Sequence, residues 1–112
     1  MKKYVIPDLP PTDNHLYGQH GHIRFLTKAG KDWKYMAGMI VKTEYKKKPA
    51  KDEVEFGEIR IYLKNWRDIQ GSLKIFFDSF EGILYVNDRQ VKKFGPVVKY
   101  HDKKNPRIEF YF

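Results

Sequence analysis

The stretch from Asn65 to Val91 constrains the fold of this chain more than any other, because its apolar residues recur at the spacing of a helix. Five of them fall on one predicted helical face: Ile69, Leu73, Phe76, Phe77 and Phe80. The other face carries Lys74, Asp78 and Glu81 at positions i, i+4 and i+7. We therefore predict a helix from Gln70 to Gly82 that packs its aromatic side on a core and presents charged groups on the other side.

Shorter segments on both sides of this helix have the patterns of strands and of one further helix. The longer helix is predicted to begin after Thr27, a good N-cap residue, and to end before Pro49. Strands are predicted at 2–6, 54–63, 89–100 with a break at Gly95-Pro96, and 107–112, and a loop or short hairpin at 15–23. The sequence thus predicts an α+β fold with a mixed β-sheet and two main helices, formed by one small domain over residues 1–112.

The charge balance points to a polyanionic partner. The chain has 22 Lys and Arg against 14 Asp and Glu, a formal net charge of +8, and this excess in a small domain favours nucleic acid. The absence of cysteine excludes disulfides and thiolate metal sites, and it suits a cytoplasmic location. No segment approaches the roughly 20 apolar residues of a membrane span. Because a domain of this size buries a limited core, we expect a homodimer.

Three of the four histidines, His15, His20 and His22, lie close together in the glycine-containing segment that follows the N-terminal proline turn. A zinc site is one interpretation, since His20 and His22 could bind a metal from one strand. Nothing nearby completes a tetrahedral ligand set, so an exposed polar loop is the favoured interpretation.

Three aspartates lie where predicted elements meet. Asp68 stands between a strand and the central helix, Asp78 lies on that helix, and Asp88 precedes the next strand. Two or three of these carboxylates around one hard cation would suit Mg²⁺ or Mn²⁺. Such an ion polarises a phosphodiester and activates water, and Lys74 on the face of Asp78 would stabilise the developing charge. The alternative is a set of surface ion pairs, each contributing less than about 1 kcal/mol.

The ordered motifs of the chain resemble those of the RusA-type Holliday junction resolvases. The segments 67–74 (RDIQGSLK), 77–80 (FDSF) and 86–91 (VNDRQV) match the family pattern, roughly R-D-x-D-N-x-x-K, then F-D-A-L, then D-D-x-Q-V. The segment 9–14 (LPPTDN) is similar to the family's P-P-S-x-N turn, and 27–30 (TKAG) resembles the stretch before its first long helix.

This resemblance implies a homodimeric, metal-dependent endonuclease of DNA recombination and repair, which nicks two strands of a four-way junction symmetrically. It implies metal-binding aspartates at Asp68 and Asp88 and a catalytic lysine at Lys74. Asp78 matches a recurring family position with a supporting role.

The chain departs from the family pattern at two adjacent positions. Gln70 stands where the second aspartate of D-x-D is expected, and Gly71 replaces the usual asparagine. An amide oxygen can ligate a cation but adds no negative charge, so Asp78 or Glu81 would have to compensate. The predicted metal-binding set is therefore Asp68, Gln70, Asp78 and Asp88. The alternative function is a RusA-like module that binds junctions and cuts them weakly or not at all.

DNA recognition by a two-fold dimer on a branched substrate is expected to depend on backbone and shape. The predicted DNA-binding residues are basic side chains of the central motifs and of the lysine run after the first long helix: Arg67, Lys74, Arg89, Lys46, Lys47 and Lys48. A lysine run also suits the negative end of a helix, which is a purely structural explanation. A basic interaction domain whose acidic helix face docks a protein is a third interpretation.

Overall fold

The computed structural model describes residues 1–112 and contains eight strands and three α-helices. The elements are, in chain order, β1 (Lys3–Ile6), α1 (Asp13–Leu16), β2 (Tyr17–His20), β3 (Ile23–Leu26), α2 (Lys28–Glu44), β4 (Val54–Phe56), β5 (Ile59–Leu63), α3 (Gln70–Asp78), β6 (Val91–Phe94), β7 (Val97–His101) and β8 (Arg107–Tyr111). A 3-10 turn, Asp88–Gln90, precedes β6.

The largest sheet has four strands in the order β1-β8-β5-β7. Strand β5 pairs antiparallel with β8 and parallel with β7, so the sheet is mixed. Strands β2 and β3 form an antiparallel hairpin, and β4 pairs parallel with β6. The predicted α+β class with a mixed sheet is confirmed. The hairpin predicted at 15–23 is present at 17–26, and residues 15 and 16 belong to α1 instead.

One face of the four-stranded sheet carries the core. In β5 the buried residues Ile59, Ile61 and Leu63 alternate with half-buried Arg60 and Tyr62, as expected for a strand with one covered face. The longer helix α2 covers this face with a stripe of side chains at helical spacing: Trp33, Ala37 and Val41.

Helix α3 is held on the core by aromatic contacts. The ring centroid of Phe76 lies 5.0 Å from that of Phe80, 5.0 Å from that of Phe110 on β8 and 5.7 Å from that of Phe56 on β4. All three ring pairs are perpendicular or tilted, the arrangements that aromatic pairs favour. The charged residues of α3 are therefore placed by a rigid aromatic contact with the sheet.

Helix α2 begins and ends as predicted. The Thr27 hydroxyl oxygen accepts a hydrogen bond from the Gly30 N–H at 3.2 Å, which confirms Thr27 as the N-cap. The helix ends at Glu44, and the lysines at 46–48 follow it in an exposed loop. None of the helices combines the length and the apolar character that crossing a membrane requires.

The predicted end of α3 at Gly82 is wrong: the helix ends at Asp78. The chain turns there because Tyr85, fully buried, donates its hydroxyl hydrogen to the Phe77 carbonyl at 2.6 Å. Gly82 adopts a φ of +80°, which favours glycine and is incompatible with a continuing helix. Glu81 therefore lies on a turn rather than on the helical face, and residues 83–86 form part of the same turn.

The predicted strand 54–63 is two strands, because the chain crosses from one sheet to another at Gly57. Gly57 and Gly95 meet at this crossing, where the Gly95 N–H donates to the Gly57 carbonyl at 3.0 Å. A Cβ on Gly95 would lie 2.8 Å from the Gly57 carbonyl carbon and 2.9 Å from the Glu58 nitrogen. The contacting atoms are backbone, so they cannot rotate away.

We expect Gly95→Ala to destabilise the protein by about 2–3 kcal/mol, the range of an overpacked site that must move backbone. Urea unfolding, followed by fluorescence of the buried Trp33, measures this loss. Lys93→Ala, at an exposed position of the same strand, is the control and is expected to stay within about 0.5 kcal/mol of wild type. Equal stabilities of Gly95→Ala and the control would contradict the close backbone approach.

Candidate active site

Three carboxylates converge at the end of α3. The ligand oxygens of Asp78, Glu81 and Asp88 all lie within 4.8 Å of one another, and all three residues are half-buried. We call these three residues the acidic group. They come from three different local structures: the last residue of α3, the turn after it, and the first residue of the 3-10 turn. Of the four predicted metal ligands, the acidic group contains Asp78 and Asp88.

Hydrogen bonds from the main chain fix the position of Asp88. Its N–H donates to Oε2 of Glu81 at 3.0 Å, so Glu81 holds the backbone of the 3-10 turn as well as facing the other carboxylates. Asn87 caps the turn by accepting the Arg89 N–H at 2.9 Å.

Gln90 ties the 3-10 turn to a distant loop. Its Oε1 accepts hydrogen bonds from the N–H groups of Val86 at 2.9 Å and Asn87 at 2.8 Å. Its Nε2 donates to the carbonyls of Ala50 at 2.7 Å and Asp52 at 2.8 Å. With four hydrogen bonds from one amide, Gln90 positions the turn that carries Asp88. The sequence motif contains this glutamine but does not reveal its role.

The electrostatics of the acidic group favour proton or cation uptake. Burial, followed by the proximity of Asp88 and Glu81, raises the pKa of Asp78 to about 6 from its ordinary 3.8. The Lys34 ammonium on α2 partly offsets this rise. Burial, followed by the same three carboxylates, also raises the pKa of Tyr85, which keeps its hydroxyl protonated as a hydrogen-bond donor.

The raised pKa of Asp78 predicts a pH dependence of stability. The unfolded chain loses this proton near pH 4 and the folded chain near pH 6, so folding becomes less favourable as pH rises between these values. After solvent screening the loss amounts to about 1–2 kcal/mol. Urea unfolding in EDTA at pH 4.5 and pH 7 measures it as the difference between wild type and Asp78→Asn. Identical pH profiles of the two proteins would contradict the raised pKa.

The acidic group is bordered by a wall of aromatic and basic side chains: Tyr17, Arg24, Lys34 and Lys74. Tyr17, the first residue of β2, has the Arg24 guanidinium 4.0 Å and the Lys74 ammonium 5.9 Å from its ring centroid. Burial, and next the negative charge of Asp78, raises the pKa of Tyr17. The Tyr17 hydroxyl is therefore close enough to the acidic group to interact with it electrostatically. The predicted catalytic lysine therefore lies on the α3 face that leads to Asp78, one turn before it.

Two predicted ligands lie at the other end of α3. Asp68 is exposed in the segment before α3, and Gln70 is the first residue of the helix. Eight residues of helical rise separate Gln70 from Asp78 by about 12 Å along the axis. Asp68 is not part of the acidic group, and the roles of Asp68 and Gln70 as ligands stay predictions. Oxygen donors thus lie at both ends of α3 rather than around one point.

The predicted DNA-binding residues are in different environments. Arg67 is half-buried and donates to the Pro10 carbonyl at 2.7 Å, while burial lowers its pKa. Arg89 is exposed, with Nε donating to Asn87 at 3.3 Å. The lysines at 46–48 are fully at the surface.

Sequence reasoning did not assign the wall residues Tyr17, Arg24 and Lys34 to the site. They come from the hairpin and from α2, more than 35 positions before the acidic group, and no local pattern marks their proximity. His20 and His22 lie exposed in the same hairpin, and the one group of potential metal ligands is the acidic group.

The family model of the endodeoxyribonuclease RusA matches residues 8–110. The chain belongs to the RusA family. RusA membership implies Holliday junction resolvase activity, and with it a nuclease acting on DNA in recombination. No curated protein gives a significant match to the sequence.

Proposed function

We propose that this RusA-family chain is a metal-dependent endonuclease that acts as a homodimer and resolves four-way DNA junctions by paired symmetric nicks. The observation that supports this most strongly is the acidic group at the end of α3, with Lys74 one turn before Asp78 on that helix and next to Tyr17. Burial first, and then repulsion from Asp88 and Glu81, raises the pKa of Asp78, and a bound cation would offset this repulsion.

The residues of the acidic group fit a hard divalent cation, Mg²⁺ or Mn²⁺. Their ligand atoms are carboxylate oxygens, the preferred donors of these ions, and lie within 4.8 Å of one another. Octahedral Mg²⁺ holds oxygens at about 2.1 Å, so opposite ligands are about 4.2 Å apart, which agrees with this spacing. When bound, such an ion would polarise a phosphodiester and lower the pKa of the attacking water.

Each residue of the site has a separate role in this proposal. Asp78 and Asp88 hold the cation, and Glu81 both contributes charge and positions Asp88. Lys74, exposed and next to Tyr17, neutralises a non-bridging phosphate oxygen as charge develops during cleavage. Asp68 and Gln70 offer further oxygen donors at the start of α3.

Basic residues around the acidic group are proposed to follow the DNA backbone. Lys34 and Arg24 border the site directly, and the more distant contacts are the predicted ones: Arg67, Arg89, Lys46, Lys47 and Lys48. A two-fold dimer would place two such sites symmetrically on a junction, so that paired nicks follow from the symmetry of the dimer. Binding is expected to weaken steeply with salt. We place this activity in the cytoplasm, in keeping with the absence of cysteine.

Gln70 favours a second candidate, a junction-binding module with weakened cleavage. Its amide adds no charge where the family pattern has a carboxylate, and fewer anionic ligands mean weaker binding of divalent cations. This candidate predicts tight, salt-sensitive binding of junctions without nicking.

A cleavage assay on synthetic four-way junctions distinguishes the two candidates. Incubation with Mg²⁺, Mn²⁺ or EDTA, with both opposing strands labelled, is expected to give paired nicks in the presence of metal and none in EDTA. A linear duplex of the same sequence is the control, and light scattering measures the dimer. Intact junctions under every metal condition, with binding retained, would select the second candidate.

A further inference from the structure

A groove opens between α2 and the end of α3, next to the acidic group. It has a volume of about 490 Å³ and is lined by residues of β3, of α2 and of the chain just after α3: Leu26, Lys31, Lys34, Tyr35, Gly38 and Ser79. Ser79 directly follows Asp78, so the groove adjoins the carboxylate that ends α3. We call this space the α2 groove.

Close packing between α2 and the chain after α3 forms the floor of the α2 groove. Gly38 and Ser79 are both buried, and a Cβ at Gly38 would lie 3.1 Å from the Ser79 carbonyl oxygen and 3.1 Å from Cδ1 of Ile83. The Ser79 hydroxyl donates to the Ile75 carbonyl at 2.6 Å, which fixes this side chain. The floor is therefore set by the protein itself, and the exposed lining residues stand around it.

Two of the lining residues are cations without an ion-pair partner. Lys31 and Lys34 lie one turn apart on α2, and neither ammonium takes part in an ion pair, whereas Lys28 on the same helix pairs with Asp32 at 2.9 Å. Lys34 is half-buried, and its charge partly offsets the rise in the pKa of Asp78, so it acts on the acidic group. Two unpaired ammonium groups beside a groove are suited to phosphate groups.

The third exposed lining residue is an aromatic ring. Tyr35 is 71% exposed, a larger fraction than for any other aromatic residue of the chain. It shares a helix face with Lys31, at i and i+4. Single exposed aromatic residues are common on protein surfaces, but this one stands at a groove between helices and beside two unpaired cations. A free ring face next to cations is the arrangement that binds an unstacked base together with its phosphate.

We propose that the α2 groove receives one unpaired nucleobase of the branched DNA, which stacks on Tyr35 while Lys31 and Lys34 bind the adjacent phosphates. This inference rests on the proposed function and names a DNA contact that would hold the strand next to the acidic group. An unpaired base leaves the stack at a lower cost than a paired one, so the groove would favour branched over linear DNA. Stacking involves the face of the base, so the contact selects an unpaired base rather than its identity.

Binding of a synthetic four-way junction in EDTA, measured by fluorescence anisotropy, tests the stacking contact without cleavage. Tyr35→Ala is expected to bind the junction about tenfold more weakly and a linear duplex of the same sequence as well as wild type does. Tyr35→Phe, which keeps the ring, is expected to keep the affinity for the junction. Met39→Ala, one turn further along α2 and exposed but outside the groove, is the control and is expected to stay within about twofold of wild type.

Junctions with a single abasic site identify the base that stacks. The abasic site is placed at each nucleotide around the crossover in turn. At one position wild type is expected to lose about tenfold in affinity, whereas Tyr35→Ala loses no more, because the ring that would contact this base is already missing. Lys31→Gln and Lys34→Gln are each expected to reduce the salt dependence of junction binding by about one phosphate contact. Lys28→Gln, which alters a lysine paired with Asp32, is their control.

The outcomes separate failure of this inference from failure of the proposed function. Wild-type junction affinity in Tyr35→Ala, or abasic sites that all affect Tyr35→Ala and wild type equally, overturns the role of the groove while metal-dependent cleavage by wild type stays intact. A changed molar mass of Tyr35→Ala in light scattering, with DNA affinity unchanged, overturns it too and assigns the groove to a second copy of this chain. A wild-type protein that neither prefers junctions to duplex nor cleaves them overturns the proposed function and this inference together.

Discussion

Asp88→Asn is expected to lower metal-dependent junction cleavage by at least about a hundredfold, because it removes a charged ligand oxygen at the centre of the acidic group. The substitution keeps the size of the side chain and the backbone hydrogen bond from residue 88 to Glu81. Loss of cleavage therefore reports the missing charge rather than a displaced turn.

The same variant is expected to be more stable than wild type in EDTA. Asp88 is one of the causes of the raised pKa of Asp78, so its neutral replacement relieves repulsion between the two carboxylates. Increased stability together with lost activity is typical of a site whose charges serve a ligand. Addition of Mg²⁺ should raise the Tm of wild type and have a smaller effect on Asp88→Asn.

Three measurements on one preparation check these expectations: cleavage of labelled junctions, a junction-binding titration, and thermal unfolding with and without Mg²⁺. Asp32→Asn is the matched control, since Asp32 is exposed and pairs with Lys28 on α2. Cleavage by Asp88→Asn at the wild-type rate would mean that the acidic group is not the nuclease site. Reduced junction binding in parallel with reduced cleavage would instead indicate that the DNA surface was damaged.

Local patterns in the sequence were sufficient to predict the helices and strands that pack on the core. The apolar spacing from Ile69 to Phe80 predicted α3, and the N-cap at Thr27 and the break at Gly95 were found where expected. The end of α3 was not predictable in this way. It depends on Tyr85, which lies beyond the helix and turns back to the Phe77 carbonyl. Helical periodicity continues through Phe80, so it gives no sign of this contact.

The same holds for the site: local motifs identify some of its residues, and the fold brings in the others from distant parts of the chain. Family motifs bring Asp78, Asp88 and Lys74 to notice, and the structure places the two aspartates together with Glu81. Tyr17 and Arg24 precede Lys74 by 50 positions or more and reach α3 through the hairpin. Their place in the site depends on tertiary packing, and the spacing of residues in a single sequence does not reveal it.

Lys74→Met is expected to lower cleavage by about 10²–10³-fold, as for loss of one preorganised group that stabilises transition-state charge. The Lys74 ammonium lies 5.9 Å from the Tyr17 ring centroid and is not part of an ion pair with the acidic group. Methionine keeps most of the length of the side chain and removes only the charge. Mn²⁺ affinity should therefore remain at or slightly above the wild-type value, because a cation that repels the metal has been removed.

This combination distinguishes Lys74 from the metal ligands. Asp88→Asn is expected to lose Mn²⁺ affinity and cleavage together, whereas Lys74→Met is expected to lose cleavage with the metal still bound. The salt dependence of junction binding should fall by about one phosphate contact in Lys74→Met, and Lys74→Arg should keep it. Rates of single-turnover cleavage at saturating Mn²⁺ provide the measurement. If Lys74→Met cleaves at the wild-type rate under these conditions, Lys74 contacts DNA without stabilising the transition state, and another cation of the wall, Lys34 or Arg24, is the next candidate.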